Sequence, residues 1–411
     1  MRDGESPGRA RRALLIAALT LAVQNGIVMA FAVLYLPLVT EFAASRAEVA
    51  GVQSVALLVG GFTGPFIGWG LDRFGAQRFF PASAALAAGG LVLASQAQSL
   101  GLLALTYGVI AGLGLSGLGS QANMTVAALW YPKARGRAIA LVDLGTGLGA
   151  FAFIPIAQAL VSWFDWRLAL LIWAAVLLLV IGPLTFFQAL PEAREPLRGD
   201  ERGGAPSQGS SNRPGHWTLA AAVRTSAFWH LIVARGLSAI GFPLMNLHMV
   251  AFAIGTGIPS VQAAAALGSV SMVSLGGRLA TGWLADRLGR APALGITYSS
   301  AILGIACLLM LGWTGTPGWL LGYVLLYGFA QGSGGIVTAA RTADVFAGPS
   351  FGTIYGWMSL AVGPGEAIGA WAGGAIYDAT GSYVGGFVFV ALVLAGAVLA
   401  MWRVRQPAGV T

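Results

Sequence analysis

Apolar positions in this chain do not alternate with polar ones. They run together near 13–40, 49–71, 78–97, 102–129, 136–162, 167–190, 226–253, 261–285, 292–313, 319–343, 351–377 and 383–403, with short polar turns between. About 20 apolar residues wound as a helix cross the ~30 Å hydrocarbon core of a bilayer. The pattern therefore predicts an all-α membrane protein with twelve transmembrane helices. The first run is longer than the core of a cleavable signal peptide, and no small-residue cleavage site follows it closely.

The stretch Glu192–Arg224 breaks the pattern after the sixth run. Its centre, GDERGGAPSQGSSNRPG, is charged and rich in Gly, Ser and Pro, the composition of a flexible linker. The division predicted is a six-helix bundle over 1–190, a linker over 191–225 and a second bundle over 226–411. The bundles share a repeat. Gly68-Trp69-Gly70-Leu71-Asp72-Arg73-Phe74-Gly75 returns as Gly282-Trp283-Leu284-Ala285-Asp286-Arg287-Leu288-Gly289, each copy between the second and third run of its bundle. Duplicated six-helix units with a substrate site between them are an architecture of secondary transporters.

Composition sharpens this reading. Charged residues are 9% of the chain and hydrophobic ones 57%, too few charges to coat a soluble protein of this length. Gly, at 60 residues, is about twice its usual ~7%, which suits closely packed membrane helices. The single Cys307 excludes a disulfide framework. The net charge of +8 does not indicate nucleic acid, because the basic residues are not gathered with aromatics on one polar face. Their placement is a topology signal instead. The amino-terminal segment, the even-numbered loops and the carboxyl tail hold 18 Lys and Arg; the opposite side holds Arg46 and Arg167. Both termini are expected in the cytoplasm, with the chain in the inner membrane.

Several chemistries drop out. The sole lysine, Lys133, follows Pro132, so no phosphate-binding Gly-Lys-Ser/Thr loop exists and no ATP-driven pump is encoded here. GLGLSG at 112–117 lies inside an apolar run and follows no strand, so helix packing explains it. His216, His230 and His248 are too scattered for a zinc site, and no Ser-His-Asp grouping appears. No enzyme activity, metal or cofactor is expected.

Charges inside the runs carry the candidate chemistry. Arg278 stands eight residues before Asp286, ~12 Å inside the boundary and close to the ~15 Å midplane. Placing Arg there costs at least ~2.5–3.5 kcal/mol. A water-filled cavity or a bound anion would relieve that cost; so would carbonyls of a neighbouring helix. Ser271, Ser274, Arg278 and Thr281 form one polar stripe. A second stripe holds Arg235, Ser238, Phe242, Asn246 and Met249, with a kink expected at Gly241–Pro243. A third holds Tyr323, Tyr327, Gln331, Thr338 and Arg341, and the first run offers Gln24, Phe31 and Tyr35. Few polar groups among aromatics suit a small-molecule cavity. Arg278, Arg235, Ser274, Asn246, Tyr327, Gln331 and Tyr35 are the substrate candidates, each tyrosine equally open to a packing role.

Two acids, Asp143 and Glu366, also sit at depth and are functional candidates on that ground. Three buried arginines against two acids leave one positive charge, which favours an anionic substrate. Glu366, Asp143 and His248 are the candidates for proton coupling. Glu366 could equally form a fixed pair with an arginine, and His248 could be an interhelical bond. Asp72, Arg73, Asp286, Arg287 and Arg341 are gating candidates: the acids as helix caps, the arginines pairing across one face. Asp143 and Arg341 are expected to pair when the cavity opens outward and part when it opens inward.

GWGLDRFGAQR and GWLADRLGR resemble the Gly-x-x-x-Asp-Arg-x-Gly loop signature of the major facilitator superfamily, and the likeness spans essentially the whole chain. YLPLVTEFAASRAEV (35–49), WYPKARGRAIA (130–140), FGTIYG (351–356) and GGAIYDATGSY (373–383) are similar to the bacterial branch related to monocarboxylate transporters and oxalate/formate exchangers. The resemblance implies two pseudo-symmetric six-helix bundles and an arginine, Arg278, that meets a substrate carboxylate. The chain departs from these relatives. Met29 stands where the animal carriers have a lysine, and Val362 where the oxalate exchangers have one. The eighth-to-last run has no Gly-Pro pair of the drug/proton antiporters, having Gly145, Gly147, Gly149 and Pro155 instead. The expectation is a proton-coupled, alternating-access carrier of a small organic anion, above all a monocarboxylate, working as a monomer in a lipid bilayer. An efflux carrier for a hydrophobic compound, and a transporter-like membrane sensor, are the alternatives.

Overall fold

A computed structural model describes residues 7–131, 134–188, 190, 217–348 and 350–405. Most of the predicted linker, 191–216, together with Lys133 and His216, lies outside them. The remainder of that linker includes a short helix, Leu219–Val223.

The described residues are helical almost throughout, in the order α1 (Pro7–Glu41), α2 (Arg46–Phe62), α3 (Gly64–Phe74), α4 (Ala76–Ser95), α5 (Leu100–Trp130), α6 (Arg135–Trp163), α7 (Trp166–Thr185), α8 (Leu219–Val223), α9 (Ser226–Gly255), α10 (Ser260–Leu288), α11 (Arg290–Thr314), α12 (Gly318–Val345), α13 (Phe351–Ser359), α14 (Val362–Thr380) and α15 (Val384–Trp402). Ten of these are long and apolar enough to cross a membrane, and the bent pair α2–α3 makes an eleventh span. The remaining predicted run, 351–377, is helical in two pieces, α13 and α14, and is not among them. Large apolar side chains such as Leu179, Leu279, Trp313 and Leu392 stand exposed on the outside, as lipid-facing positions do.

Four predicted runs are interrupted. α5 breaks at Leu118–Gly119, where Gly119 is extended. α2 and α3 meet at 56°, where Gly64 and Pro65 follow Thr63 and the proline removes a backbone donor. α12 breaks at Gln331–Gly332, with Gly332 in the left-handed region at φ 85°. α13 and α14 part at Leu360–Ala361, ahead of Pro364. The Asp-Arg repeat, by contrast, folds identically in both copies. α3 and α10 end one residue after Arg73 and Arg287, and Gly75 (φ 72°) and Gly289 (φ 93°) reverse the chain into α4 and α11. That conformation is open to glycine at little cost.

The chain alternates between two faces. With α13 and α14 counted together as one further crossing, one face, the linker face, carries the start of α1, the two Asp-Arg turns and the end of α15, and the other is the far face. The first group of helices, α1–α7, packs with itself through pairs such as α1 with α6 and α4 with α7. The second, α8–α15, does so through α9 with α14 and α11 with α12. Small residues bring α1 and α6 together: a Cβ on Gly149 would lie 2.0 Å from the Ala22 carbonyl oxygen. The groups meet along α1 with α9, α2 with α14 and α6 with α10.

Candidate functional site

A cavity of about 320 Å³ lies where the two groups meet. The second group supplies its polar lining: Arg235, Ser238 and Asn246 from α9, Arg278 from α10, Gln331 from the break in α12, and Glu366 from α14. The first group contributes Val28, Met29, Phe31, Ala32 and Leu57, and one amide, Gln53. A larger cavity of about 1190 Å³ shares Val28, Gln53, Leu57, Arg235 and Glu366 with it and reaches Met124 and Gly352, toward the linker face.

Arg278 is not a free cation. Its guanidinium donates to an Asp143 carboxylate oxygen at 2.5 Å and to Thr146 Oγ1 at 3.5 Å, both on α6, and to Ser274 Oγ at 3.3 Å. The ion pair therefore ties α10 to α6 across the groups. The break in α12 lies against the same side chain, since a Cβ on Gly332 would stand 2.6 Å from Arg278 Nε. Arg235 differs. Among the described residues it makes no hydrogen bond or ion pair, and its Nε is shut from solvent without a partner. Glu366 lines the same cavity within electrostatic reach of Arg235, yet not in contact with it.

On the far side the groups are joined directly. Asp378 of α14 accepts hydrogen bonds from two backbone amides at the start of α2, Arg46 at 3.0 Å and Ala47 at 2.8 Å. The Arg46 guanidinium donates to the Tyr383 hydroxyl and lies over the Tyr377 ring, 3.7 Å from its centre. Tyr35 donates its hydroxyl hydrogen to the Arg46 carbonyl at 2.9 Å. His248 packs edge-on against Tyr35 at 5.0 Å and hydrogen-bonds the Ala370 carbonyl at 2.9 Å.

The structure thus divides the residues expected from sequence. Arg235, Arg278, Asn246, Gln331 and Glu366 come together at the cavity. Ser274 is buried and steadies Arg278. Tyr327 does not line the cavity; it is buried behind Phe242 and stacked on Tyr323 at 5.0 Å. Tyr35 and His248 belong to the far-side junction. Asp143 does not meet Arg341, which donates to the Val404 carbonyl at 2.7 Å, because α6 and α10 adjoin and Arg278 reaches the acid first. The expected helix caps are not formed either. Asp286 pairs with Arg290 at 2.6 Å, Arg290 also reaches Asp344 at 3.0 Å, and Arg287 lies over the Trp283 ring. Asp72 and Arg73 have no ion-pair partner among the described residues. Sequence reasoning missed Arg46, Asp378 and Gln53. The charge at Arg46, exceptional on its side of the membrane, was the available signal for the first.

Residues 14–346 match the Major Facilitator Superfamily, and the chain belongs to that family of membrane transporters. It is 28% identical to monocarboxylate transporter 13 of Bos taurus over 382 residues, covering 91% of this chain and 84% of the relative. It is 24% identical to the uncharacterised transporter YcxA of Bacillus subtilis, with 85% and 84% covered. Its fold is shared by a bacterial homolog of the human lysosomal transporter Spinster, solved inward-facing and unoccupied, at TM-score 0.72 and 18% identity over 99% of this chain and all of that one. The protein is a multi-pass membrane transporter and not an enzyme.

Proposed function

We propose that this transporter carries a small organic anion, in the first place a monocarboxylate, together with a proton. It does so by alternating access between two domains, 1–190 and 226–411. The observation that carries the reading is Arg235, a cation in a cavity between the helix groups with no bonded counter-ion, beside Glu366. Such a cation is costly at depth, and an arriving carboxylate offsets the cost by giving both oxygens to one planar guanidinium. The monocarboxylate transporters among the relatives support the substrate class. Arg278 is the second cation, released to the anion when its pair with Asp143 opens. Glu366 is the proton carrier, and Asp143 the next candidate. The bias of Lys and Arg to one face supports an inner-membrane carrier with both termini cytoplasmic. The cavity is complete within one chain, which supports a working monomer.

The test is uptake of labelled carboxylates by proteoliposomes with an alkaline interior. Gradient-dependent accumulation is expected, lost in Arg235→Ala and in Arg278→Ala. Flux of neutral hydrophobic compounds indifferent to both substitutions would instead identify an efflux carrier. Ligand binding without any flux would identify a sensor.

A further inference from the structure

The charge in the cavity comes from one side, although α9 also adds the apolar Ala239, Phe242, Pro243 and Leu247. All its charged groups and most of its hydrogen-bonding groups belong to the second helix group. The first group faces them with Val28 and Met29 of α1 and Leu57 of α2, three partly exposed apolar side chains, with Phe31 buried behind them on the Tyr107 ring at 4.9 Å. Gln53 is the only polar side chain the first group adds, at 7% exposure and with its amide oxygen unpartnered. A carboxylate of two or three carbons, gripped by Arg235, would satisfy the charged side and leave that wall facing water. A cavity of about 320 Å³ has room for a larger body than that.

We propose that the substrate is a monocarboxylate with a sizeable apolar body, aromatic or branched. Its carboxylate lies at Arg235, and its body lies against Val28, Met29 and Leu57. This rests on the anion-carrier reading above and adds the substrate's other end. The wall acts as the specificity determinant: each methylene it removes from water strengthens binding about fourfold. Gln53 is placed to accept, through its unpartnered amide oxygen, a hydrogen bond from a hydroxyl on the substrate.

Isothermal titration of the purified full-length protein with acetate, pyruvate, 4-methylpentanoate, phenylacetate and phenylpyruvate tests the idea. Binding avoids the confounding leak of apolar acids through liposomes. The apolar-bodied acids are expected to bind at least tenfold more tightly than acetate and pyruvate. Leu57→Gln and Met29→Gln are expected to cut that ratio by about tenfold. Val28→Thr, nearly the same shape, should cut it severalfold and covers the case in which a Gln variant fails to fold. Acetate or pyruvate binding as tightly as phenylacetate, or a ratio unmoved by Val28→Thr, overturns the proposal while leaving the anion carrier standing. If no acid binds and Arg235→Ala changes nothing, the anion-carrier reading itself is wrong, and this inference falls with it.

Discussion

Arg278 spans the boundary between the two helix groups, and its pairing sets what its loss should do. Each member of the Asp143 pair is about a fifth exposed, 22% for Asp143 and 23% for Arg278. Removing one member of a well-buried pair strands the other at a cost of ~3–5 kcal/mol; partial exposure here points to the lower end. Asp143→Ala should therefore lower the melting temperature of the purified protein more than Asp143→Ala with Arg278→Ala together. Simple additivity of the two single effects would show that the pair contributes nothing. Arg278→Lys should rescue transport poorly, since an ammonium lacks the planar two-point grip of a guanidinium. Glu366 makes a separate prediction. Glu366→Gln should abolish pH-driven accumulation yet leave substrate exchange intact. Accumulation against a gradient in that variant would move the proton to Asp143.

The continuous helices α1, α9 and α10 form most of the cavity wall, and one helix interruption completes it. The break in α12 brings Gln331 into it, where its amide donates to Asn246 at 3.4 Å. The turn holds Gly332 at φ 85°, a conformation that costs other residues ~1–2 kcal/mol. A side chain there would also meet Arg278. Gly332→Ala should thus weaken substrate binding markedly, with stability lowered only modestly. A variant with full affinity would mean that the turn does not position Arg278. The bend between α2 and α3 and the break between α13 and α14 come together as well. Gly61 and Gly363 lie so close that a Cβ on the former would stand 2.4 Å from the Cα of the latter. Gly61→Leu is expected to wedge α2 from α14 and to slow transport without unseating Arg235. Uptake rates at saturating substrate, with affinity measured alongside, separate these effects.

The whole molecule was legible to the degree that one-dimensional pattern can carry it. Long apolar runs revealed the spans, and the repeated Gly-x-x-x-Asp-Arg turn revealed the duplication, whose two copies end alike on Gly75 and Gly289 with positive φ. Depth along a helix was legible too, which is why Arg235, Arg278 and Glu366 stood out. Rotation about a helix axis was not. Periodicity leaves open which neighbour a stripe faces, so the pairing of Asp143 with Arg278 was not foreseen, and Tyr35 and Tyr327 stayed open between cavity and packing. Contacts between the groups are equally hidden, because Arg46 and Asp378 are separated by most of the chain. At this scale Asp378→Asn should loosen the far-side junction and shift the carrier toward a far-side opening. Increased labelling of a cysteine placed on that side, in a background lacking Cys307, would report it.

That junction has one more consequence. The first amides of any helix lack partners within it. In α2 two of them are supplied from the opposite group by Asp378, while the next amide, that of Glu48, donates to Ser45 Oγ of its own helix cap at 3.2 Å. Opening the far side must therefore bare the amides of Arg46 and Ala47 but spare that of Glu48. The chain thus contains its own isotopic clock: deuterium uptake at 46 and 47, read against 48, times each excursion of the carrier with no probe attached.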